Sequence, residues 1–299
     1  MYPAAFEYSA PKSLGEALDA LAQVGDDGRV LAGGQSLIPM MKLRLASPGH
    51  LVDINGIAEL SYIRQVPANG QPGYLAIGAL ARHADVAASP VVASANHTVA
   101  AAAKWVADPL VRNRGTLAGS IAHCDPEGDW NSVMLAAGAT VVARSASGGE
   151  RLIPHSEFVV DFFTNSLRPG EMVTEIRVPA YTGPAGGTYL KLERKIGDYA
   201  TVGVATHLVL SASGTIAEAG IALTAVAGHN LKVPAAEAVL VGQTPSAAVF
   251  AEAADVASRA CEPDSDVRGP AEYKRAVVRE YVKRALAAAY QQASAPAGR

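Results

Sequence analysis

The chain has 299 residues, 49% of them apolar, and a formal net charge of −3. That length and apolar content suit a globular protein of two or three domains with an ample core, and exclude a disordered chain. Mixed charge gives no basic face for nucleic acid, and two cysteines, Cys124 and Cys261, make neither a disulfide framework nor a four-thiolate cluster.

No stretch reaches ~18 uninterrupted apolar residues, so no membrane span is expected. The opening Met1-Tyr2-Pro3-Ala4-Ala5-Phe6-Glu7 lacks the basic start and apolar core of a signal peptide. The expected compartment is the cytoplasm.

Ser13-Leu14-Gly15-Glu16 reads as a capping box that opens a helix. Leu14, Ala17, Leu18 and Leu21 then share one helical face, and Gly25 is the expected stop. A strand over Arg29 to Ala32 leads into Gly33-Gly34-Gln35-Ser36. His50 to Ile54 and Tyr74 to Gly78 read as strands, Ala81 to Ala88 and His97 to Ala107 as helices. The long stretch Arg112 to Trp130 reads as a polar, glycine-containing loop. A helix over Asn131 to Ala137 follows, then strands over Thr140 to Ala143 and Met172 to Val178.

Pro179 to Gly187, rich in Pro and Gly, marks a boundary. Beyond it, three strands are expected over Thr188 to Arg194, Gly203 to Leu210 and Ile216 to Leu223. Three helices close the chain, over Ala235 to Val241, Ser246 to Cys261 and Ala271 to Gln292, the last opened by Gly269-Pro270. Residues 293–299 are expected to fray.

Two segments carry the chemistry. Glycine lets backbone N–H groups approach a ligand closely, and successive N–H groups in a turn make a concavity for an anion. Ala32-Gly33-Gly34-Gln35-Ser36-Leu37 and Gly115-Thr116-Leu117-Ala118-Gly119-Ser120 both have this composition, with hydroxyls from Ser36, Thr116 and Ser120. Asp125 and Asp129 follow, so donors are succeeded by acceptors. Together the two loops could clamp a diphosphate, although a paired glycine alone is usually only a turn. The isolated His83 and His97 read as surface or capping residues.

Ala32-Gly33-Gly34-Gln35-Ser36 and Thr116-Leu117-Ala118-Gly119-Ser120 resemble the two FAD-diphosphate loops of the medium subunits of the molybdenum hydroxylases, the carbon monoxide dehydrogenase and xanthine dehydrogenase group. The resemblance extends through Phe6-Glu7-Tyr8, Ser36 to Lys42, His50 to Ile54, Lys191 to Ala200 and Arg268 to Tyr273, essentially the whole chain. One departure stands out. Ala118 occupies a position that is usually glycine, and a methyl there is expected to shift the loop slightly.

The resemblance implies an α+β fold. A two-subdomain FAD-binding domain of the p-cresol methylhydroxylase type would span residues 1–178, as about 1–56 and 57–178. A small C-terminal domain of a three-stranded sheet and a helical bundle would span 179–292. It implies non-covalent FAD on Ala32, Gly33, Gly34, Gln35, Ser36, Leu37, Ala107, Thr116, Ala118, Gly119, Ser120, His123, Asp125, Asp129, Val173 and Lys191, with no metal site. Covalent attachment through His123 or Cys124 is disfavoured, because the resembling family binds FAD non-covalently. Tyr199 is expected over the N5 face of the flavin, controlling access to it. Lys191 is expected at the flavin edge, where a cation would stabilise the anionic reduced ring.

By the same resemblance, the chain is the electron-transfer subunit of a heteromeric oxidoreductase. A small subunit with [2Fe–2S] clusters would deliver electrons, a large molybdopterin subunit would oxidise the substrate, and the assembly would be a dimer of heterotrimers. Gln35 and Ala118 differ from the carbon monoxide enzymes and tilt the expectation towards an N-heterocycle or other organic substrate. Three other readings stand beside this one. A stand-alone FAD oxidase needs its own substrate pocket, which no motif marks. A nicotinamide dehydrogenase needs Gly-x-Gly-x-x-Gly, which neither loop has. A non-catalytic binding module would purify without colour.

Overall fold

The computed structural model describes residues 2–67, 73–181 and 183–295. At the N-terminal end, Glu7–Ser9, His50–Asp53 and Gly28–Leu31 form a parallel sheet in that order across the sheet. Parallel neighbours need a crossover, and the helix Leu14–Val24 supplies one. Its Ala17, Leu18 and Leu21 are buried, as their spacing predicts. The cap differs in one detail from the expected box. Ser13 Oγ accepts the Glu16 N–H at 3.3 Å, but the Glu16 carboxylate accepts from Lys12 N–H at 2.7 Å, one residue upstream of the cap.

The middle of the chain builds a five-stranded antiparallel sheet, ordered Ile63–Val66, Tyr74–Gly78, Met172–Pro179, Thr140–Arg144 and Glu150–Pro154. Short helices His83–Ala88, Pro90–Ala95, His97–Ala102, Pro109–Arg112, Leu117–His123 and Asp129–Ala137 connect Gly78 back to Thr140. Asp129–Ala137 is buried along its whole length. A small hairpin pairs Val159–Asp161 with Thr164–Asn165.

The stretch expected as one loop, Arg112 to Trp130, is therefore largely helical. Thr116 caps the segment, and Leu117, Ala118 and Ile121 are buried on one face, so a short amphipathic helix wins over the polar composition. The helix expected over His97 to Ala107 ends at Ala102, and Ala107 sits in the left-handed region at φ +52°.

The C-terminal sheet is antiparallel, with Ala185–Leu192, Val202–Leu210, Ile216–Thr224 and a two-residue edge, Leu231–Lys232, that joins the three expected strands. Helices Pro234–Leu240, Ala247–Ala260 and Ala271–Ser294 cover one face. The last runs two residues beyond Gln292 and buries Ala293; of the expected frayed tail, residues 296–299 lie outside the described residues.

Two adjacent glycines explain how this sheet is held on both faces. Side chains alternate across a strand. A Cβ at Gly186 would collide with the backbone of Ala289 in the last helix. A Cβ at Gly187 would collide with Thr98 of helix His97–Ala102. On the same side, Gly220 leaves room for the Ala136 backbone of helix Asp129–Ala137. The sheet is thus sandwiched between the terminal helices and the helices of the preceding region. Among the described residues, no helix is long and apolar enough to cross a membrane.

Candidate functional site

The first glycine segment leaves the parallel sheet at Leu31 and enters the helix Leu37–Lys42. Gly34 adopts φ +71°, a conformation that suits glycine. Its carbonyl accepts from Ile38 N–H at 3.2 Å. Ser36 is the cap residue of the helix, but its hydroxyl makes no capping bond.

The second segment begins the helix Leu117–His123. Thr116 Oγ1 accepts from Gly119 N–H at 3.1 Å and so is occupied by its own helix. Gly119 is exposed and Ser120 half-buried. The Ala118 methyl is 2% exposed and packs in the core. It faces away from the exposed turn, so any ligand contact of Ala118 is through its backbone.

The two segments, eighty residues apart, touch. A Cβ on Gly33 would lie 2.5 Å from Arg114 O and 2.6 Å from Gly115 Cα. A Cβ on Gly115 would in turn meet the His83 ring. The missing Cβ of Gly33 is what lets the two backbones come this close, and that of Gly115 makes room for His83.

Two side chains that the sequence reading missed tie the approach together. Arg82 donates to Asn55 Oδ1 at 2.6 Å and to Arg114 O. Asn55 Nδ2 donates to Ala32 O at 2.8 Å and to Asp53 Oδ1 at 2.6 Å. Tyr8 completes the chain by donating to Asp53 Oδ2 at 2.6 Å. Burial opposes ionisation of Asp53, but bonds from Tyr8 and Asn55 and the charge of Arg114 hold its pKa below the usual value. One signal was legible: an Asp-x-Asn at the end of strand His50–Asp53, whose polar residues interrupt an apolar run. Arg82, alone between Ala81 and His83, offered no pattern.

Beyond this contact, the expected residues fall into two groups. His123 packs on Phe163 with ring centroids 4.8 Å apart and lies 4.0 Å from Asp125. Burial lowers the His123 pKa, although Asp125 opposes it. Asp125 Oδ1 accepts from Glu127 N–H at 2.9 Å, a turn that fixes the segment. Cys124, at φ +52°, is buried, and burial pushes its thiol up to about 12, far from a reactive thiolate. Tyr199 is 49% exposed on the turn beside this segment. Burial and then Asp125 raise its hydroxyl pKa to about 12. The same turn packs on Ala107, since a Cβ on Gly197 would lie 3.0 Å from Asp108 N and 3.1 Å from Ala107 C. His123, Asp125, Ala107 and Tyr199 are thus brought to one place.

Asp129 and Lys191 form the second group, paired with each other and with Glu193, 3.5 Å from the Lys191 ammonium. Lys191 Nζ lies 3.0 Å from Asp129 Oδ2 and also donates to Trp105 O at 3.3 Å. Tyr189 Oη donates to Asp129 Oδ1 at 2.6 Å. Burial raises the Asp129 pKa, with the Lys191 charge opposing it. Val173 is a core residue of strand Met172–Pro179, opposite Ala143.

A sequence model of the FAD binding domain in molybdopterin dehydrogenase matches residues 4–181. The chain belongs to the FAD-binding medium-subunit family of the molybdopterin dehydrogenases. A second model, the CO dehydrogenase flavoprotein C-terminal domain, matches residues 187–289 of this medium subunit. The carbon monoxide dehydrogenase medium chain of Hydrogenophaga pseudoflava is 44% identical, over 97% of this chain and 99% of that one. The 6-hydroxypseudooxynicotine dehydrogenase complex subunit alpha of Paenarthrobacter nicotinovorans is 37% identical, over 98% and 97%. A solved carbon monoxide dehydrogenase from Hydrogenophaga pseudoflava, lacking the Mo-pyranopterin moiety of its molybdenum cofactor, superposes with a TM-score of 0.92 at 45% identity, covering 98% and 99%.

The residues fit FAD on an observation of this structure. The touching backbones of Gly33 and Arg114–Gly115, the uncapped Ser36 hydroxyl and the exposed Gly119 make a side-chain-poor surface that a diphosphate could approach closely.

Three buried histidines in this medium subunit give a pH dependence. Burial holds His83 at about 4 and His155 and His207 at about 3, against an ordinary 6.5. His83 Nδ1 accepts from Trp130 Nε1 at 3.0 Å, which requires the neutral ring. Folded pKa values below the unfolded value make the folded chain the poorer proton binder. The stability is therefore present above pH ~6.5 and is lost as pH falls towards ~4, by up to about 1.4 kcal/mol per pH unit for each histidine. The thermal midpoint is expected to drop steadily between pH 6.5 and 4.5. His155→Leu, at a ring whose two nitrogens lack partners, is expected to flatten that slope, and an unchanged slope would contradict the assignment.

Proposed function

We propose that this chain is the electron-transfer subunit of a heteromeric molybdenum hydroxylase, taking electrons from a [2Fe–2S] small subunit and passing them to an external acceptor. A large molybdopterin subunit carries out substrate oxidation, and the working assembly is a dimer of heterotrimers in the cytoplasm. The observation that carries this reading is the backbone contact between Gly33 and Arg114–Gly115, which makes one cradle of two distant segments. Bound FAD supplies a centre that is stable with one or two added electrons.

The chain's own residues bind and orient. Gly33, Gly34, Ser36, Gly119 and Ser120, with the backbone of Ala32, Gln35, Leu37 and Ala118, hold the diphosphate. Thr116 acts mainly by fixing the helix start, since Gly119 N–H already occupies its hydroxyl. His123, Asp125, Ala107 and Tyr199 border the ring, and Tyr199 limits access to it. Asp129, Lys191 and Val173 back the site from the core. The division into residues 1–178 and 179–292 draws support from a second core whose buried members all lie at or beyond Val202, while Tyr189, Ala205 and Ala222 of the C-terminal sheet pack into the first. Within the first part, the parallel sheet supports a break near residue 56.

Relatives at 44% and 37% identity are named for carbon monoxide and for 6-hydroxypseudooxynicotine. Such similar medium chains serving such different substrates support placing substrate choice in the large subunit. The tilt towards an organic substrate drawn from Gln35 and Ala118 gains nothing from the structure, because the Ala118 methyl is in the core.

The test is purification of the full chain alone and with its co-expressed partners. Both preparations are expected to be yellow and to release FAD on denaturation, and organic substrate is expected to bleach only the complex. A colourless complex would sink the proposal. Turnover of substrate by the isolated FAD-loaded chain would favour a stand-alone oxidoreductase instead.

A further inference from the structure

We infer that Arg268 is a positioning residue for the Tyr199 turn, clasping that turn to the Asp125–Glu127 turn across the face where the ring is proposed to lie.

The geometry runs from the last helix outward. Lys274, buried in helix Ala271–Ser294, donates to Asp266 Oδ2 at 2.7 Å and to Asp264 O at 3.0 Å. Asp266 fixes the next turn: its Oδ1 accepts from Arg268 N–H at 2.8 Å, and its backbone exchanges two bonds of 3.1 Å with Gly269. This turn holds the Arg268 side chain, 12% exposed, across two other segments. One guanidinium nitrogen lies 2.5 Å from Glu127 Oε2 and the other 3.8 Å from Asp198 Oδ1. The guanidinium carbon lies 5.9 Å from the centre of the Tyr199 ring. Nε of Arg268 is buried and unpartnered.

Besides Arg268, the Tyr199 turn is held by the close approach of Gly197 to Ala107 and Asp108 and by Asp125 at the Tyr199 hydroxyl. Ile196 is 88% exposed, Gly197 is at φ +83°, and the side-chain bonds of Asp198 reach only Arg194 and Tyr199 N–H. Arg268 ties both the turn that carries Tyr199 and the turn that carries Asp125 to the C-terminal helix, through Asp266 and Lys274. A planar guanidinium suits the task, since it bridges two carboxylates and stacks beside an aromatic ring at once. Lysine provides the charge without the fork. Burial and Asp125 hold the Tyr199 hydroxyl protonated, so the ring is kept neutral beside the arginine.

This inference rests on the proposed role of Tyr199, and its test separates the two. Hydrogen exchange is measured over residues 195–201 and 124–128 in the full chain and in Arg268→Met, Arg268→Lys and Glu127→Gln. Losing a charge-assisted bond of this kind is expected to speed exchange on the order of tenfold in both segments. Arg268→Lys should fall between, and the last helix should be unchanged. Trypsin should cut the exposed Lys195–Ile196 bond correspondingly faster. With FAD loaded, Arg268→Met and Tyr199→Ala should each speed reoxidation by oxygen, and the double variant should be no faster than either single one. Unchanged exchange and cleavage in both Arg268→Met and Glu127→Gln would overturn the clasp, whatever the flavin does. Faster exchange with reoxidation unchanged in Arg268→Met and Tyr199→Ala would keep the clasp as a structural link and overturn the gating role. Should Arg268→Met fail to fold, Glu127→Gln breaks the same pair from the partner side and decides alone.

Discussion

Replacing Gly33 with valine is expected to leave the chain folded and without FAD. A Cβ there would lie within 2.6 Å of backbone on both Arg114 and Gly115, and backbone cannot rotate aside as a side chain does. The two segments must part, and the cradle is lost with their contact. Gly34 is the instructive comparison. A Cβ there would meet Ile38 Cδ1 at 2.7 Å, a flexible side-chain tip, but φ +71° penalises any L-residue. Gly34→Ala should therefore cost about 1–2 kcal/mol of local strain and weaken binding, whereas Gly33→Val should reduce FAD content to background. The measurement is flavin released per chain after denaturation, with circular dichroism as the control on folding. Stoichiometric FAD in Gly33→Val would show that the contact is unrelated to the cofactor.

The second large effect lies at Lys191. Its side chain is 1% exposed and is paired with Asp129, itself 7% exposed. Lys191→Met leaves a carboxylate buried with Tyr189 and without its cation. Breaking a buried pair in this way costs about 3–5 kcal/mol, a large share of a typical domain's stability. Asp129→Asn in the same chain should recover only part of the loss, because position 129 then carries no unpaired charge but Glu193, 3.5 Å from Lys191, still does. Without Lys191, only the Tyr189 hydrogen bond opposes the rise that burial, helped by the Glu193 charge, imposes on Asp129. A carboxyl with a raised folded pKa favours the folded state below its unfolded pKa and disfavours it as pH rises through the folded one. The deficit of Lys191→Met relative to the unaltered chain is therefore expected to shrink as the pH falls. Urea unfolding of both single variants and the double variant reads this directly. A single-variant loss below about 1 kcal/mol would show the pair to be solvated.

These two positions illustrate what sequence reading can and cannot reach. Gly33 and Gly34 were legible because glycine reports a backbone requirement wherever it stands. What Gly33 approaches was not, since Arg114 and Gly115 are eighty residues away. Lys191 was singled out through resemblance, but the single-residue pattern of a strand does not say which carboxylate a lysine will meet. Its partner is set by where helix Asp129–Ala137 crosses the C-terminal sheet, and that crossing depends on Gly220 making room for Ala136. The polar composition of Arg112 to Trp130 misled in the opposite direction. It reads as loop, but Leu117, Ala118 and Ile121 bury one face of a capped helix, and packing outweighs weak propensity.

The sequence by itself determined the family, through motifs spread over essentially the whole chain. It also determined the strands whose apolar runs are long enough to be read and the two segments with the composition of a diphosphate cradle. Each of these follows from local physics: glycine's freedom, the periodicity of burial, the scarcity of cysteine. Only the tertiary structure decided which distant groups meet. It joined Gly33 to Gly115, linked Asn55 and Arg82 behind them, paired Lys191 with Asp129 in the interior, and set Arg268 across the Tyr199 turn. The reason is physical. A charged or polar side chain has many permissible partners along a chain. The one it takes is fixed by the packing of helices and sheets, whose cores fill only in one arrangement.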